Sequence, residues 1–232
     1  MFISLQQTVQ ATQEILEVAP VEKSMSIAQL LNDSGLSGQI IIYIILGLLA
    51  VGLFIYFERL SAINAASKVD KNFMNQIRDY VSNGKLDTAK MLCAQNSTPA
   101  ARLVEKGISR IGKPLEDINK AIENAGSLEI YKLEKNVSVL ATIAGAAPML
   151  GFLGTVIGMI IAFHNMATSG GQAEMGVLAG GIYTAMTTTV AGLVVGIIAY
   201  VAYNHLVVKT NKVVHLMEAN SVEFLDLLNE PI

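Results

Sequence analysis

Tryptophan is absent and cysteine occurs once, so Cys93 has no partner for an internal disulfide, and no cysteine pair exists to hold a structural metal. It is expected to be an inert thiol. Charge is scarce as well: Asp, Glu, Lys and Arg make up 15% of the 232 residues, against about 25% in an average soluble domain. The net charge of −3 leaves no basic face, so no nucleic-acid partner is expected. The three histidines, His164, His205 and His215, stand near span ends or in the tail and form no metal-ligand cluster, so neither a metal nor another cofactor is expected. The first lysine is Lys23 and no long apolar block precedes it, so no cleaved secretory signal is expected.

What the chain does have is apolar residues, 52% of the total, and they are concentrated. Residues 40–57 contain no charge and no amide side chain, while 137–163 and 177–208 contain no Asp, Glu, Lys or Arg. All three runs reach the length that crosses a bilayer core, roughly 17–25 residues. At about 1.5 Å per residue the third would be about 48 Å long, so it is expected to tilt or to project beyond the lipid. The sequence therefore predicts an all-α integral membrane protein with three transmembrane helices.

Basic residues set the orientation. Of the 16 Lys and Arg, 13 fall in residues 58–136, 2 in 209–232, 1 in 1–39 and none in 164–176. Cations accumulate on the cytoplasmic side of membrane proteins. The expected organisation is a periplasmic, amphipathic N-terminal segment (1–39) and a first span (40–57), then a cytoplasmic helical domain (58–136) and a second span (137–163). A short periplasmic loop (164–176), a third span (177–208) and a cytoplasmic C-terminal helix (209–232) follow. Phe2, Leu5, Val9 and Leu16 recur near helical spacing, which suits either a short helix lying at a membrane surface or a partly ordered tail.

In the cytoplasmic segment Thr98–Pro99 reads as a cap and first-turn pair, and Pro114 with Glu116 and Asp117 as a second helix start. Ile118, Ile122, Ala125 and Leu128 are expected on one face. No proline interrupts 114–137, so this helix is expected to run on into the second span, as the third span runs on through Val213, Met217, Phe224 and Leu228.

An intramembrane enzyme needs acids or a nucleophile with a base at depth, and the three runs supply neither, so no catalytic residue is expected. They do contain small residues and hydroxyls in a pattern. Gly180, Thr184, Thr188, Gly192 and Gly196 follow at intervals of four, with Thr187 and Thr189 adjacent; Gly154, Gly158 and Ala162 repeat the interval, near Thr142, Thr155 and Pro148. Small residues let membrane helices approach closely and proline can kink one, so Gly154, Gly158, Gly180, Gly192, Gly196 and Pro148 are expected to pack helices. The hydroxyls have two readings. They bond carbonyls one turn back and only pack, as in a scaffold, or Thr155, Thr184, Thr188 and Thr189 line a narrow wet path for ions. Threonine does not titrate usefully, so a proton path would need a carboxylate from a partner helix.

The segments TIAGAAPMLGFLGTVIGM (142–159) and GGIYTAMTTTVAGL (180–193) resemble the ExbB, TolQ and MotA proton-channel family, and three spans resemble ExbB and TolQ more than four-span MotA. The resemblance implies a bacterial inner-membrane homopentamer. Its second and third helices would surround two copies of a single-span ExbD-like or TolR-like protein, each carrying one membrane aspartate. By motif position it implies Thr155 and Thr189 as the pore threonines. The work would pass to a TonB-like protein in outer-membrane transport or to a Tol-Pal system. Thr184 stands where many relatives have glutamate and Ile198 where a proline is common, departures that bear on pore charge, ion preference and the local kink.

Overall fold

The computed structural model describes residues 36–68, 72–168 and 175–229, and among them there are seven helices and no strand. They are α1 Leu36–Ala66, α2 Phe73–Ser82, α3 Leu86–Gln95, α4 Pro99–Ile108, α5 Leu115–Glu134, α6 Val137–Thr168 and α7 Met175–Asn229. The amphipathic stretch expected at the N-terminus lies outside the described residues up to residue 35.

Helices α1, α6 and α7 carry the three apolar runs, and each is long and apolar enough to cross a membrane. At 31, 32 and 55 residues they exceed the bare runs; at about 1.5 Å per residue α7 is about 80 Å long, far more than a bilayer core of about 30 Å. The third run continues without a break through Val213, Met217, Phe224 and Leu228, as expected. Ile41, Ile45, Ile143, Ala147, Val195 and Ala199 form the seam joining the three helices. Large apolar side chains such as Phe54, Phe57, Met149, Phe152 and Met186 point outward, a surface that needs lipid or another chain to cover it.

Beyond the apolar runs, α2, α4 and α5 pack around the distal half of α7, and α3 is held against α2 and α4. Their core holds Phe73, Ile77, Leu103, Ile108, Ile122, Met217 and Phe224. The cap at Thr98 forms as expected, its hydroxyl accepting from the Ala101 amide at 3.4 Å with Pro99 in the first turn.

Two expectations are corrected here. The helix starting at Leu115 does not run into the second span: it stops at Glu134, Lys135 turns extended (φ −52°, ψ 130°) and Asn136 takes the left-handed conformation at φ 63°. Asparagine tolerates that region better than most residues, so the break needs neither proline nor glycine. Leu128 does not share the buried face of Ile118 and Ile122 either, being 55% exposed. The face continues onto Glu129, whose carboxylate accepts from Arg102 Nη2 at 2.6 Å and Lys132 Nζ at 2.7 Å. Burial alone raises the pKa of Glu129; hydrogen bonds and charge from Arg102 and Lys132 outweigh it and hold the carboxyl below its ordinary value.

Candidate functional site

The polar and small residues of the second and third runs meet along the α6–α7 contact, which is close because glycines remove side chains where the backbones cross. A Cβ on Gly192 would lie 3.0 Å from Gly151 Cα, one on Gly158 would lie 2.9 Å from Ala185 Cβ, and one on Gly154 would lie 2.6 Å from Thr188 Cβ. Gly196 faces Pro148, whose Cγ would stand 2.6 Å from an added Cβ. Proline lacks an N–H, so Pro148 also leaves the Ala144 carbonyl without its helical donor at this crossing. Gly180 departs from the expected pattern: it is exposed, with open space where a side chain would go, and Gly181 makes the close approach to Ala162 instead.

Three of the four threonines expected on the ion path gather around one turn of α6. Thr189 Oγ1 donates to the Gly151 carbonyl at 3.1 Å, and Thr188 Oγ1 lies 3.3 Å from the same oxygen and 2.7 Å from the Ala185 carbonyl. Thr155, one helical turn beyond Gly151, donates to the Phe152 carbonyl at 2.6 Å. Thr184 sits one turn before Thr188 and is half-buried, as are Thr155 and Thr189. Thr188 is different. It is 0% exposed, wedged over Gly154, so within one chain it fills the helix contact and lines no open surface. The rotation of about 100° per residue separates it from Thr189, and interval-of-four reasoning did not resolve which neighbour faces out.

Gly151 was not among the residues singled out from sequence. Its signal was present in the line Ala147, Gly151, Gly154, Gly158, Ala162, a succession of three- and four-residue steps that follows one helix face. A second tie not foreseen joins α1 to α7, where Tyr56 Oη and His205 Nδ1 lie 2.8 Å apart. Among the described residues no group of His, Cys, Asp and Glu could hold a metal ion.

Chemically, Thr155 and Thr189 spend their hydroxyl protons on backbone carbonyls, and their remaining capacity is lone pairs. Such a face accepts hydrogen bonds from a protonated acid or a hydrated cation. It has no group of its own that carries a proton.

Fold and site together define a multi-pass membrane protein whose second and third apolar helices build a small-residue seam edged with hydroxyls. Residues 95–219 match the MotA/TolQ/ExbB proton channel family, and the chain belongs to that family, a channel family rather than an enzyme family. An ExbB homolog of Methanothermobacter thermautotrophicus is 28% identical over 175 residues, covering 73% of this chain and 60% of the relative. The Tol-Pal system protein TolQ of Haemophilus influenzae is 28% identical over 187 residues, covering 75% of this chain and 81% of TolQ. The chain thus spans less than two thirds of the Methanothermobacter protein. A solved structure of C. jejuni MotAB aligns with 98% of this chain and 91% of its own at a TM-score of 0.49 and 16% identity.

Proposed function

We propose that this chain is the channel-wall subunit of a proton-driven motor in the bacterial inner membrane, with its N-terminus periplasmic and its helical bundle cytoplasmic. Five copies would surround two single-span partner helices of the ExbD or TolR kind, with Thr155 and Thr189 of each copy facing the partners' membrane aspartates and Thr184 on the same path. The observation that carries this reading is the hydroxyl cluster over Gly151 in a segment free of Asp, Glu, Lys and Arg. It supports a wall that accepts hydrogen bonds and leaves the titrating carboxylate to another chain.

The mechanism follows from desolvation. An ionised carboxylate is costly to move into an apolar setting and a neutral one far less so. Proton entry would neutralise the partner's aspartate, whose new O–H can donate to the lone pairs of Thr155 or Thr189. The partner helix could then move past the apolar residues between hydroxyl clusters and release its proton on the cytoplasmic side. The motion would be passed to a TonB-like protein that drives transport across the outer membrane. A Tol-Pal role is the second reading, favoured by an alignment that covers 81% of TolQ.

Native mass spectrometry of the protein co-expressed with its neighbouring membrane gene products tests the reading. Five copies with two single-span companions bearing a membrane carboxylate are expected. A monomer or dimer without such a companion would leave no proton carrier, and a non-conducting scaffold would take its place.

A further inference from the structure

A cavity of about 560 Å³ opens at the joint between α5 and α6, against α7, within the roughly 300–1,000 Å³ range of small-ligand sites. Its lining changes in character across its width. Glu134 and Lys135 bring opposite charges, Tyr131 and Tyr203 bring phenol hydroxyls, and Val137 and Val207 are aliphatic. Val137 opens the second apolar run, and Val207 stands two residues before Lys209, which ends the third. The first run ends at the same level, because Arg59, two residues past Phe57, donates from Nη1 to the Lys132 carbonyl at 3.3 Å. The cavity therefore lies where hydrocarbon gives way to headgroups, the depth at which tyrosine is enriched in membrane proteins.

The surrounding charges are already engaged. Arg102 and Lys132 serve Glu129, and Arg59 pairs with Glu58. Glu134 and Lys135 have no such partner among the described residues. They present one exposed carboxylate and one exposed ammonium, adjacent in sequence, beside a Tyr131 that is 71% exposed.

We propose that this cavity binds the headgroup of a zwitterionic aminophospholipid. Lys135 and the tyrosine hydroxyls receive the phosphate, Glu134 accepts from the primary ammonium, and the acyl chains leave past Val137 and Val207 along the exposed apolar faces of α6 and α7. An anionic glycerol headgroup satisfies Lys135 but offers Glu134 only neutral hydroxyls in place of a charged donor, and a choline headgroup has the charge but no N–H to donate. The lipid site needs the three apolar helices to span a membrane with this face of α6 and α7 open to lipid, and it does not depend on the ion path.

The test uses the full chain, extracted in detergent, stripped of lipid and then offered phosphatidylethanolamine, phosphatidylglycerol or phosphatidylcholine, with retained lipid counted by native mass spectrometry. Phosphatidylethanolamine is expected to be retained about tenfold more tightly than the other two, the order of one charge-assisted hydrogen bond. Glu134→Gln should abolish its advantage over phosphatidylcholine, and Lys135→Gln should weaken ethanolamine and glycerol lipids alike by about tenfold. Both side chains are exposed, so circular dichroism should show the fold unchanged. Equal retention of the three lipids, a preference for phosphatidylglycerol, or a preference untouched by both variants would overturn the proposal. So would disulfide formation between Tyr131→Cys on one copy and Val207→Cys on another, which would place a second copy in the cavity.

Discussion

Thr189 in α7 reaches 38 residues back along the chain to donate its hydroxyl to the carbonyl of Gly151 in α6, 3.1 Å away. The bond exists because Gly151 has no side chain to hold α7 off: a Cβ there would stand 3.0 Å from Thr189 Cα. One glycine thus sets both the distance between the two helices and the direction of the hydroxyl.

The same crowding makes Gly154→Ala destabilising. Its methyl would meet Thr188 at 2.6 Å from Cβ, closer than two carbons pack, so something must shift, and overpacking of this kind costs about 1–3 kcal/mol. Adding Thr188→Ala takes away Oγ1 and Cγ2 but leaves Cβ in place, so it relieves the crowding in part. Unfolding in detergent should show the double variant more stable than Gly154→Ala alone, with a coupling of at least about 0.5 kcal/mol.

Neighbouring glycines should behave oppositely. Gly181→Ala would place its methyl 2.6 Å from Ala162 Cβ, whereas Gly180→Ala meets nothing within 4 Å. The first should lower the unfolding midpoint. The second should leave it unchanged or raise it slightly, since alanine is the better helix former by about 1 kcal/mol.

Glu129 gives the helical bundle an acid-sensitive clasp. Its folded-state pKa lies below the ordinary value, which is about 4.3 for glutamate. Its contribution is therefore complete above that ordinary value and disappears as pH falls through the folded value. At neutral pH Glu129→Gln should lower stability by about 1.5–3 kcal/mol, the range for hydrogen bonds to a charged group. Stability of the variant should also fall less steeply below about pH 4.3 than that of the wild type.

Cys93 is buried, and burial, with a smaller contribution from Glu105, pushes its thiol up to about 12. Only the thiolate is nucleophilic. Alkylation by iodoacetamide at pH 8 should be far slower in the folded protein than in denaturant, with the rate reporting opening of the bundle.

Much of this architecture is legible in the sequence because a bilayer imposes a coarse rule: a long run without charge becomes a helix. Residues 40–57, 137–163 and 177–208 lie in α1, α6 and α7, and the continuity of α7 follows from the apolar residues spaced beyond Lys209. Finer features escape because they turn on a single residue. Nothing at Lys135–Asn136 resembles a breaker, yet a left-handed asparagine divides α5 from α6 there. A rotation of one position decides that Glu129 is buried and Leu128 exposed, that Gly181 packs and Gly180 does not, and that Thr188 is enclosed while Thr189 stays half-buried. Hydrophobicity favoured Leu128 over Glu129; only the positions of Arg102 and Lys132, one of them on another helix, make the carboxylate the better buried choice.

The central claim, that Thr155 and Thr189 form the hydrogen-bonding wall of a proton path, is tested most directly by proton flux into vesicles containing the assembled complex. Valine matches threonine in shape and lacks the oxygen, so Thr155→Val with Thr189→Val leaves packing close to native and removes the lone pairs. Flux should fall by at least about tenfold, equivalent to about 1.4 kcal/mol on the barrier, with subunit composition unchanged. Undiminished flux through an intact complex of the double variant would contradict the account and reduce these hydroxyls to helix packing.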